Sequence, residues 1–316
     1  MLNFRRVFIV VSMLLITVVS FSYERIKYIF DDGVYRKEVV VDKAPERAVT
    51  LAQFMTEMLL ALGLEDKMVG TALLNEEILP EYKEAYDKIP VLQMGEGHSI
   101  SKEAFISTEV DFVSGWEQSI SEDGTGSLEE LEARGVTPFI SSGLAPDATI
   151  ESVYGDFLLL GKIFEVEDRA KEIVKRMKKE VKEVTDKSSK IKKEDRVKVL
   201  IYDSGDSEAF VGGSGLPTNL VELAGGENIF KDLGQDYGLV SYESIVERNP
   251  DVIVVTEYYS GVSGDEKIKR LKEHSGIEEV NAIKNGRVYK IGLIELAPGI
   301  RNSRTVGKLY DMFYGK

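Results

Sequence analysis

A Ser-x-Glu motif that leads to an Asp eight residues after the Glu occurs twice, 140 residues apart. The first copy is Ser101-Lys102-Glu103 with Asp111, and the second is Ser241-Tyr242-Glu243 with Asp251. In each copy the Ser predicts a helix N-cap, and the apolar residues at and after the Asp predict a strand. A carboxylate in an exposed first turn can pair with a cation. The repeat therefore predicts two similar α/β lobes, each presenting one Glu.

Residues that could support catalysis or hold a metal are sparse. The chain has no Cys, and His98 and His274 have no helical His partner. Gly213-Ser214-Gly215 lacks the full nucleophile elbow, and Gly95-Glu96-Gly97 does not complete a dinucleotide fingerprint. We therefore expect no catalytic residue, no metal site and no resident cofactor. A secreted enzyme stays open as an alternative, and it would need a convergent acid, base or nucleophile.

The ends of the predicted strands supply candidates for binding a ligand. The same 140-residue offset relates Gly115-Trp116-Glu117-Gln118 to the segment 255–259, and both follow strands. Open α/β sheets bind ligands at the carboxyl ends of their strands. The candidates at such exits are Gln53, Phe54, Trp116, Tyr202, Phe210, Tyr258 and Tyr259.

Strands alternate with helices along most of the chain, which predicts mostly parallel sheets covered on both faces. The expected fold class is α/β, with two Rossmann-like lobes joined by one long connector helix and a ligand cleft between them. The predicted boundaries are residues 23–148 for the N-terminal lobe, 149–193 for the connector and 194–316 for the C-terminal lobe. The segment Tyr28–Val41 predicts a hairpin, and Phe164-Glu165-Val166 predicts an interruption of the connector.

The first 22 residues predict a secretory signal peptide. Arg5 and Arg6 precede an apolar run from Val7 to Val19, and Ser20-Phe21-Ser22 follows. An uncleaved anchor is the alternative. Without a Cys there is no site for an N-terminal lipid, so we expect a periplasmic protein that is not lipid-anchored. The formal net charge of -14 disfavours binding to nucleic acid.

Four tracts together resemble the periplasmic substrate-binding proteins of ABC importers for iron-siderophore complexes, haem and cobalamin. They are Ala44–Leu51, Glu57–Gly63 with Asp66–Gly70, Ala224–Phe230 and Val240–Val255. The resemblance implies two α/β lobes joined by one long helix, with a ligand between them. It also implies that Glu103 and Glu243 pair with Arg residues of the permease dimer. The protein is expected to be a monomer, and its long connector helix predicts that the lobes close only slightly on the ligand.

The resemblance adds three ligand candidates in the C-terminal lobe. Tyr237 lies where the cobalamin-binding member has a pocket-lining Trp, and Arg301 and Arg304 fall in a tract that resembles the family's ligand loop. A guanidinium suits carboxylate or catecholate oxygens. The expected function is a receptor that binds a metal chelate, with an iron-siderophore first and cobalamin or haem as alternatives.

Overall fold

The computed structural model describes residues 23–93, 100–120, 122 and 124–315. The predicted signal peptide and His98 lie outside these residues. The strands are β1 (Ile26–Asp31), β2 (Arg36–Val41), β3 (Ala48–Thr50), β4 (Met68–Thr71), β5 (Phe112–Ser114), β6 (Thr137–Phe139), β7 (Lys198–Ser204), β8 (Ala209–Gly212), β9 (Glu227–Asn228), β10 (Tyr237–Val240), β11 (Val252–Glu257) and β12 (Val288–Gly292).

The helices alternate with these strands as the sequence predicted. They are α1 (Gln53–Ala61), α2 (Lys83–Tyr86), α3 (Lys102–Ser107), α4 (Leu128–Ala133), α5 (Ile150–Ile163), α6 (Glu167–Ser188), α7 (Gly215–Leu223), α8 (Tyr242–Arg248), α9 (Gly264–Glu273), α10 (Asn281–Lys284), α11 (Leu293–Leu296) and α12 (Asn302–Tyr314). Among the residues described, no helix is both long and apolar enough to cross a membrane.

The N-terminal lobe contains a four-stranded parallel sheet in the order β4-β3-β5-β6. The predicted hairpin is confirmed as the antiparallel pair β1-β2. It packs on the edge of the lobe, where the ring of Tyr28 lies 5.9 Å from that of Phe139. The loop between the two hairpin strands, residues 32–35, is exposed on the side of the loop that follows β5.

The C-terminal lobe has a mixed sheet in the order β10-β8-β7-β11-β12, with β9 along β7. Strands β7, β11 and β12 are parallel, as predicted. Strand β8 is antiparallel, because it returns directly after β7 through a loop with Gly205 at a φ of 133°. So short a return cannot connect parallel strands. The fold class is confirmed, with this antiparallel return as the departure from a parallel sheet.

One long helix joins the lobes, but it is shorter than the predicted segment 149–193. The predicted interruption is present: α5 ends at Ile163, Glu165 has a left-handed φ of 57°, and α6 begins at Glu167. Helix α5 folds back on α6, since Glu151 at its start pairs with Lys178 at 3.0 Å. The connecting helix is therefore α6 alone.

Helix α6 contacts a different lobe at each end. Near its start, Arg169 donates to the carbonyl of Ala61 at 2.9 Å, and at its end Ser188 donates to the carbonyl of Leu223 at 2.7 Å. One core cluster continues past the helix and takes residues from both sheets. Two smaller clusters cover the outer faces of the sheets. This shared core resists large movement between the lobes, since opening it would expose packed apolar surface.

Candidate functional site

Glu103 and Glu243 lie at equivalent positions of the two lobes. Each is an exposed residue in the first turn of a short helix, α3 or α8. Each helix is capped by a Ser, Ser101 or Ser241, whose hydroxyl accepts from the backbone N–H three residues later at 3.1 and 3.2 Å. Neither Glu makes an ion pair within the described part of the chain. Both carboxylates are therefore available to a partner.

The repeat extends further than its sequence suggested. Asp111 accepts from the backbone N–H of Arg47 at 2.8 Å, and Asp251 accepts from that of Lys198 at 3.1 Å. In each lobe this bond ties the repeat to the start of the neighbouring strand. The residue two positions before each Asp is left-handed, with φ of 51° and 45°, and turns the helix into the strand. The two Glu residues are thus fixed by matching frameworks.

The carboxyl ends of the two sheets face each other. After β4, the carbonyl of Asn75 accepts from the backbone N–H of Tyr259, which follows β11, at 2.8 Å. The carboxylate of Glu76 accepts from the N–H of Ile294, which follows β12, at 3.1 Å. The predicted cleft therefore lies between the lobes.

A cavity of about 40 Å³ occupies this interface. Trp116, Gly143 and Leu144 line it from the N-terminal lobe, and Leu216, Pro217, Asp236, Tyr237, Leu293 and Leu296–Pro298 line it from the other. A cavity of this size holds roughly one water molecule, whereas ligand pockets measure about 300–1,000 Å³. The cavity is therefore too small for a bulky ligand unless the lobes separate at this point.

Aromatic candidates from both lobes lie at or beside this cavity. Trp116 is half-buried, and its ring packs edge-on against Phe54 at 4.7 Å. Tyr237 is half-buried, and its ring lies 5.5 Å from that of Phe210. The hydroxyl of Tyr237 is buried without a hydrogen-bond partner among the described residues, and burial raises its pKa. The ligand-binding role of these aromatic side chains stays a prediction.

Gln53 and Phe54 are buried in the N-terminal lobe, next to residues that contact the cleft. Gln53 is fully buried, and its side-chain oxygen accepts from the backbone N–H groups of Asn75 and Glu76 at 2.8 and 2.9 Å. It thereby holds the loop that contacts the other lobe. Phe54 is 1% exposed and packs against Trp116, which lines the cavity. Neither side chain lines the cavity in this structure.

The prediction that Tyr202 lines the cleft is wrong. Its side chain is 1% exposed and packs in the outer core of the C-terminal lobe. Its hydroxyl lies 3.3 Å from that of Tyr242. The residue sits within β7, two positions before the strand ends, and the pleat turns it away from the cleft.

Tyr258 and Tyr259 have different surroundings although they are adjacent. Tyr258 is half-buried, and its ring lies 4.4 Å from the ammonium of Lys267, which also donates to the carbonyl of Thr256 at 2.7 Å. Lys267 is 3% exposed and lies 3.9 Å from Asp203. Tyr259 is 59% exposed, and its backbone N–H donates to the carbonyl of Asn75 in the other lobe.

Arg301 does not present its guanidinium to a ligand, contrary to the prediction. It forms a bidentate pair with Glu57 of the N-terminal lobe at 2.6 and 2.7 Å, and it donates to the carbonyl of Glu77 at 2.6 Å. Glu76 and Glu295 lie 3.2 and 3.7 Å away. We call Arg301, Glu57, Glu76 and Glu295 the interlobe ion cluster. Burial raises the pKa of Glu76, although Arg301 opposes the shift.

Arg304 is likewise paired with the other lobe. Its guanidinium lies 2.8 Å from Glu81 on the surface. Its side chain is 45% exposed, so the pair is worth roughly 0.2–1 kcal/mol. The two Arg residues that were expected to bind an anionic chelate therefore join the lobes.

A second acid-rich region lies on the other side of Trp116. A hollow of about 420 Å³ is lined by Asp32, Val34 and Tyr35 of the hairpin loop and by Glu117 after β5, and further by Gln118, Ile120, Glu122 and Gly126–Glu129. We call this space the acidic hollow. Burial raises the pKa of Glu117 to about 7, and Asp236, Asp32 and Asp31 add to the shift. Asp236 lines the interlobe cavity, as does Trp116, the residue directly before Glu117.

Comparison with known proteins agrees with this geometry. The profile of the family described as Periplasmic binding protein matches residues 49–293. The chain belongs to this family. It is 31% identical to a periplasmic binding protein of known structure from Veillonella parvula DSM 2008, with a TM-score of 0.83 over 93% of this chain and 99% of that one.

Two relatives from Bacillus subtilis strain 168 have more specific descriptions. YvrC, an uncharacterised ABC transporter substrate-binding lipoprotein, is 27% identical over 82% of this chain and 77% of its own. YclQ, a petrobactin-binding protein, is 25% identical over 78% of this chain and 75% of its own. The protein thus resembles substrate-binding components of transporters, which are not enzymes.

Sequence reasoning missed several residues of this periplasmic binding protein that the structure places at the cleft. Asp236 lies two residues after Gly234 in a polar loop, and Leu293 lies in a short helix after β12. Glu117 was noted only as part of a strand-end loop. Its position directly after Trp116 was the available signal, because neighbours at a strand exit line the same edge of the sheet.

Proposed function

We propose that this periplasmic binding protein captures a metal chelate, with an iron-siderophore complex as the first choice, and delivers it to an ABC-type permease. The observation that carries the proposal is the apolar and aromatic cavity between Trp116 and Tyr237, which both lobes line at the carboxyl ends of their sheets. Once the lobes separate enough to enlarge this space beyond its about 40 Å³, a lining of this composition suits a bulky ligand with apolar surface. The description of YclQ as petrobactin-binding supports a chelate as the ligand class.

We also propose secretion into the periplasm without a lipid anchor. The composition of residues 1–22 supports export, and the absence of Cys supports the lack of an N-terminal thioether lipid. The description of YvrC as a lipoprotein points the other way for that relative. Fractionation of the native host, followed by mass measurement of the mature N-terminus, tests both parts.

The ligand is best identified on protein purified from its own host. Native mass spectrometry is expected to show a bound species, and visible absorbance separates ferric chelates, haem and cobalamin. A ferric-chelate band with a matching added mass supports the iron-siderophore assignment. A haem or corrin spectrum contradicts the iron-siderophore choice. A metal-free sugar, peptide or amino acid would contradict the chelate class altogether.

Delivery to the permease is expected to use Glu103 and Glu243. Each is exposed and unpaired in the described structure, and the matching frameworks fix their spacing. Pairs of this kind contribute mainly to encounter and orientation. We expect the double variant Glu103→Ala/Glu243→Ala to keep its chelate affinity while uptake through the permease falls about 10-fold or more, since two charge pairs are lost.

Glu167→Ala is a matched control for this variant, because Glu167 is an exposed acidic residue in the first turn of α6. Its loss removes the same helix-dipole contribution, about 0.3–1 kcal/mol, without touching either repeat. Uptake with Glu167→Ala should equal that of the unchanged protein. Lost chelate affinity in the double variant would place the two carboxylates in the pocket and refute their docking role.

A further inference from the structure

The geometry points to a chelate that is neutral or cationic, bound with its donor-rich or positively charged part beside Glu117 and Asp236. This inference rests on the proposed function and specifies the charge class of the ligand. It replaces the anionic chelate that the Arg residues of the sequence suggested.

The basic side chains around the cleft are already paired within the chain. Arg301 and Arg304 pair with N-terminal lobe carboxylates. Lys267 lies under Tyr258 beside Asp203, and Lys290 pairs with Asp265 at 3.1 Å. Binding an anionic group with any of these cations would first break an existing pair.

The basic side chain beside the acidic hollow is paired in the same way. Lys102 reaches Gly126 in its wall, and its ammonium lies 2.6 Å from Glu130. Within the described residues, no basic side chain lines either the hollow or the interlobe cavity. A carboxylate or catecholate placed there would therefore meet no counter-charge.

Two acidic side chains beside the cleft, in contrast, have no ion-pair partner among the described residues. Glu117 and Asp236 make no ion pair with any described residue. Glu117 belongs to the N-terminal lobe and Asp236 to the C-terminal lobe; burial raises the pKa of Glu117, and the charges of Asp236, Asp32 and Asp31 add to this shift. A carboxylate in such surroundings is costly to ionise unless a cation or several hydrogen-bond donors join it.

Two buried hydroxyl groups in this region have no hydrogen-bond partner among the described residues. The buried hydroxyl of Tyr237, in the cavity that Asp236 also lines, has no partner among the described residues. Thr125 is 1% exposed, and its hydroxyl, next to Gly126 of the hollow, is also without a described partner. Buried polar groups are normally hydrogen-bonded, so groups of this kind at a binding site are expected to find partners on the ligand.

The acidic hollow also has exposed apolar surface beside its carboxylates. Val34 and Tyr35 at the tip of the hairpin are 82% and 61% exposed and line the hollow. An aromatic ring beside carboxylates can contact the methylene chain and the ammonium of a ligand amine together. The hollow, at about 420 Å³, is large enough for such an arm.

Ferric hydroxamates provide a matched set of probes. In a linear ferric trihydroxamate the hydroxamate anions balance the charge of Fe³⁺, so the charge of a terminal amine decides the charge of the whole. The free amine, its acetylated form and its succinylated form give a cationic, a neutral and an anionic chelate with the same metal centre. Quenching of Trp116, the only Trp in the chain, reports binding at the cleft.

We expect the amine form to bind most tightly and the succinylated form about 10-fold or more weakly, as like charges across a binding site penalise the wrong ligand. Glu117→Gln and, separately, Asp236→Asn should each narrow this difference several-fold. Glu194→Gln removes an equal charge from an exposed site outside the cleft, and it should leave the order and the ratios unchanged. Raising the ionic strength should bring the affinities of the unchanged protein for the three chelates closer together.

The outcomes separate the two proposals. Equal affinities, tighter binding of the succinylated form, or an unchanged preference in both cleft variants would overturn the charge assignment while chelate binding stands. Binding of haem or of a ferric catecholate in preference to all three hydroxamates would do the same. If ferric hydroxamates, ferric catecholates, haem and cobalamin all fail to quench Trp116, the proposed chelate receptor itself is overturned.

Discussion

The interlobe ion cluster and the acidic hollow are both rich in carboxylates, but only the ion cluster contains its own cation. Glu57 is 1% exposed and makes a bidentate pair with Arg301. Glu117 is half-buried and makes no ion pair with any described residue, and its pKa is raised by burial and by the charges of Asp236, Asp32 and Asp31. In the ion cluster the chain satisfies its charges by joining the two lobes. The charge class that we propose for the ligand follows from this unpaired carboxylate.

This difference assigns separate roles to two regions that sequence composition cannot separate. A fully paired buried charge stabilises one arrangement of the lobes, since each partner would be left uncompensated without the other. A half-buried charge without a partner raises the energy of the empty protein and lowers that of a complex with a matching ligand. The largest expected effects of mutation therefore fall on stability at the ion cluster, and smaller effects fall at the hollow.

Arg301→Ala is expected to have the largest effect on stability. It leaves Glu57 buried without a counter-charge, which typically costs about 3–5 kcal/mol in the free energy of unfolding. Urea unfolding at neutral pH measures this loss. Arg304→Ala is the matched control, because the same residue type is removed from an exposed pair worth about 0.2–1 kcal/mol.

A loss of chelate affinity in Arg301→Ala, with a free energy of unfolding within about 1 kcal/mol of that of the unchanged protein, would contradict this assignment, since buried pairs rarely cost so little to break. That result would return Arg301 to the ligand site. The double variant Glu57→Leu/Arg301→Met tests whether the loss comes from the uncompensated charge. It removes both charges together, so it should be clearly more stable than Arg301→Ala alone.

A pH-dependent effect of intermediate size is expected at the hollow. The pKa of Glu117 is raised from 4.5 to about 7, first by burial and then by Asp236, Asp32 and Asp31. The folded protein therefore holds a proton that the unfolded chain releases between these values, and stability from this group falls as the pH rises from about 4.5 to 7. Glu117→Gln should remove that part of the fall.

The measurement is urea unfolding of the unchanged protein and of Glu117→Gln at pH 5 and at pH 8. The two should differ more at pH 8, where the unchanged protein has lost the contribution of protonated Glu117. Glu194→Gln, which removes an exposed carboxylate, should follow the unchanged protein at both values. A Glu117→Gln curve parallel to that of the unchanged protein would show that Glu117 has an ordinary environment.

Local signals in the sequence were sufficient for much of the fold. The Ser caps before Glu103 and Glu243, the hairpin turn and the break at Glu165 depend on neighbours a few residues away, and all four are present. The partner of Arg301 is 244 positions distant in the chain, so no local pattern could show that its charge is already used. Tyr202 was misplaced for a related reason, because proximity to a strand end does not say which face the side chain takes.

The smallest predicted effect compares two tyrosines. The hydroxyl of Tyr237 has no described partner, whereas that of Tyr202 lies 3.3 Å from the hydroxyl of Tyr242. Tyr202→Phe should therefore cost about 0.5–1.5 kcal/mol in the free energy of unfolding and leave chelate affinity unchanged, because it breaks a hydrogen bond remote from the cleft.

Tyr237→Phe should leave stability unchanged or slightly higher, because it removes a buried polar group that folding leaves unsatisfied. Its chelate affinity should fall about 2- to 10-fold, the equivalent of one hydrogen bond, as measured by Trp116 quenching. A stability loss in Tyr237→Phe without any change in affinity would mean that this hydroxyl is satisfied within the free protein, and the second region would then be left with its carboxylates alone.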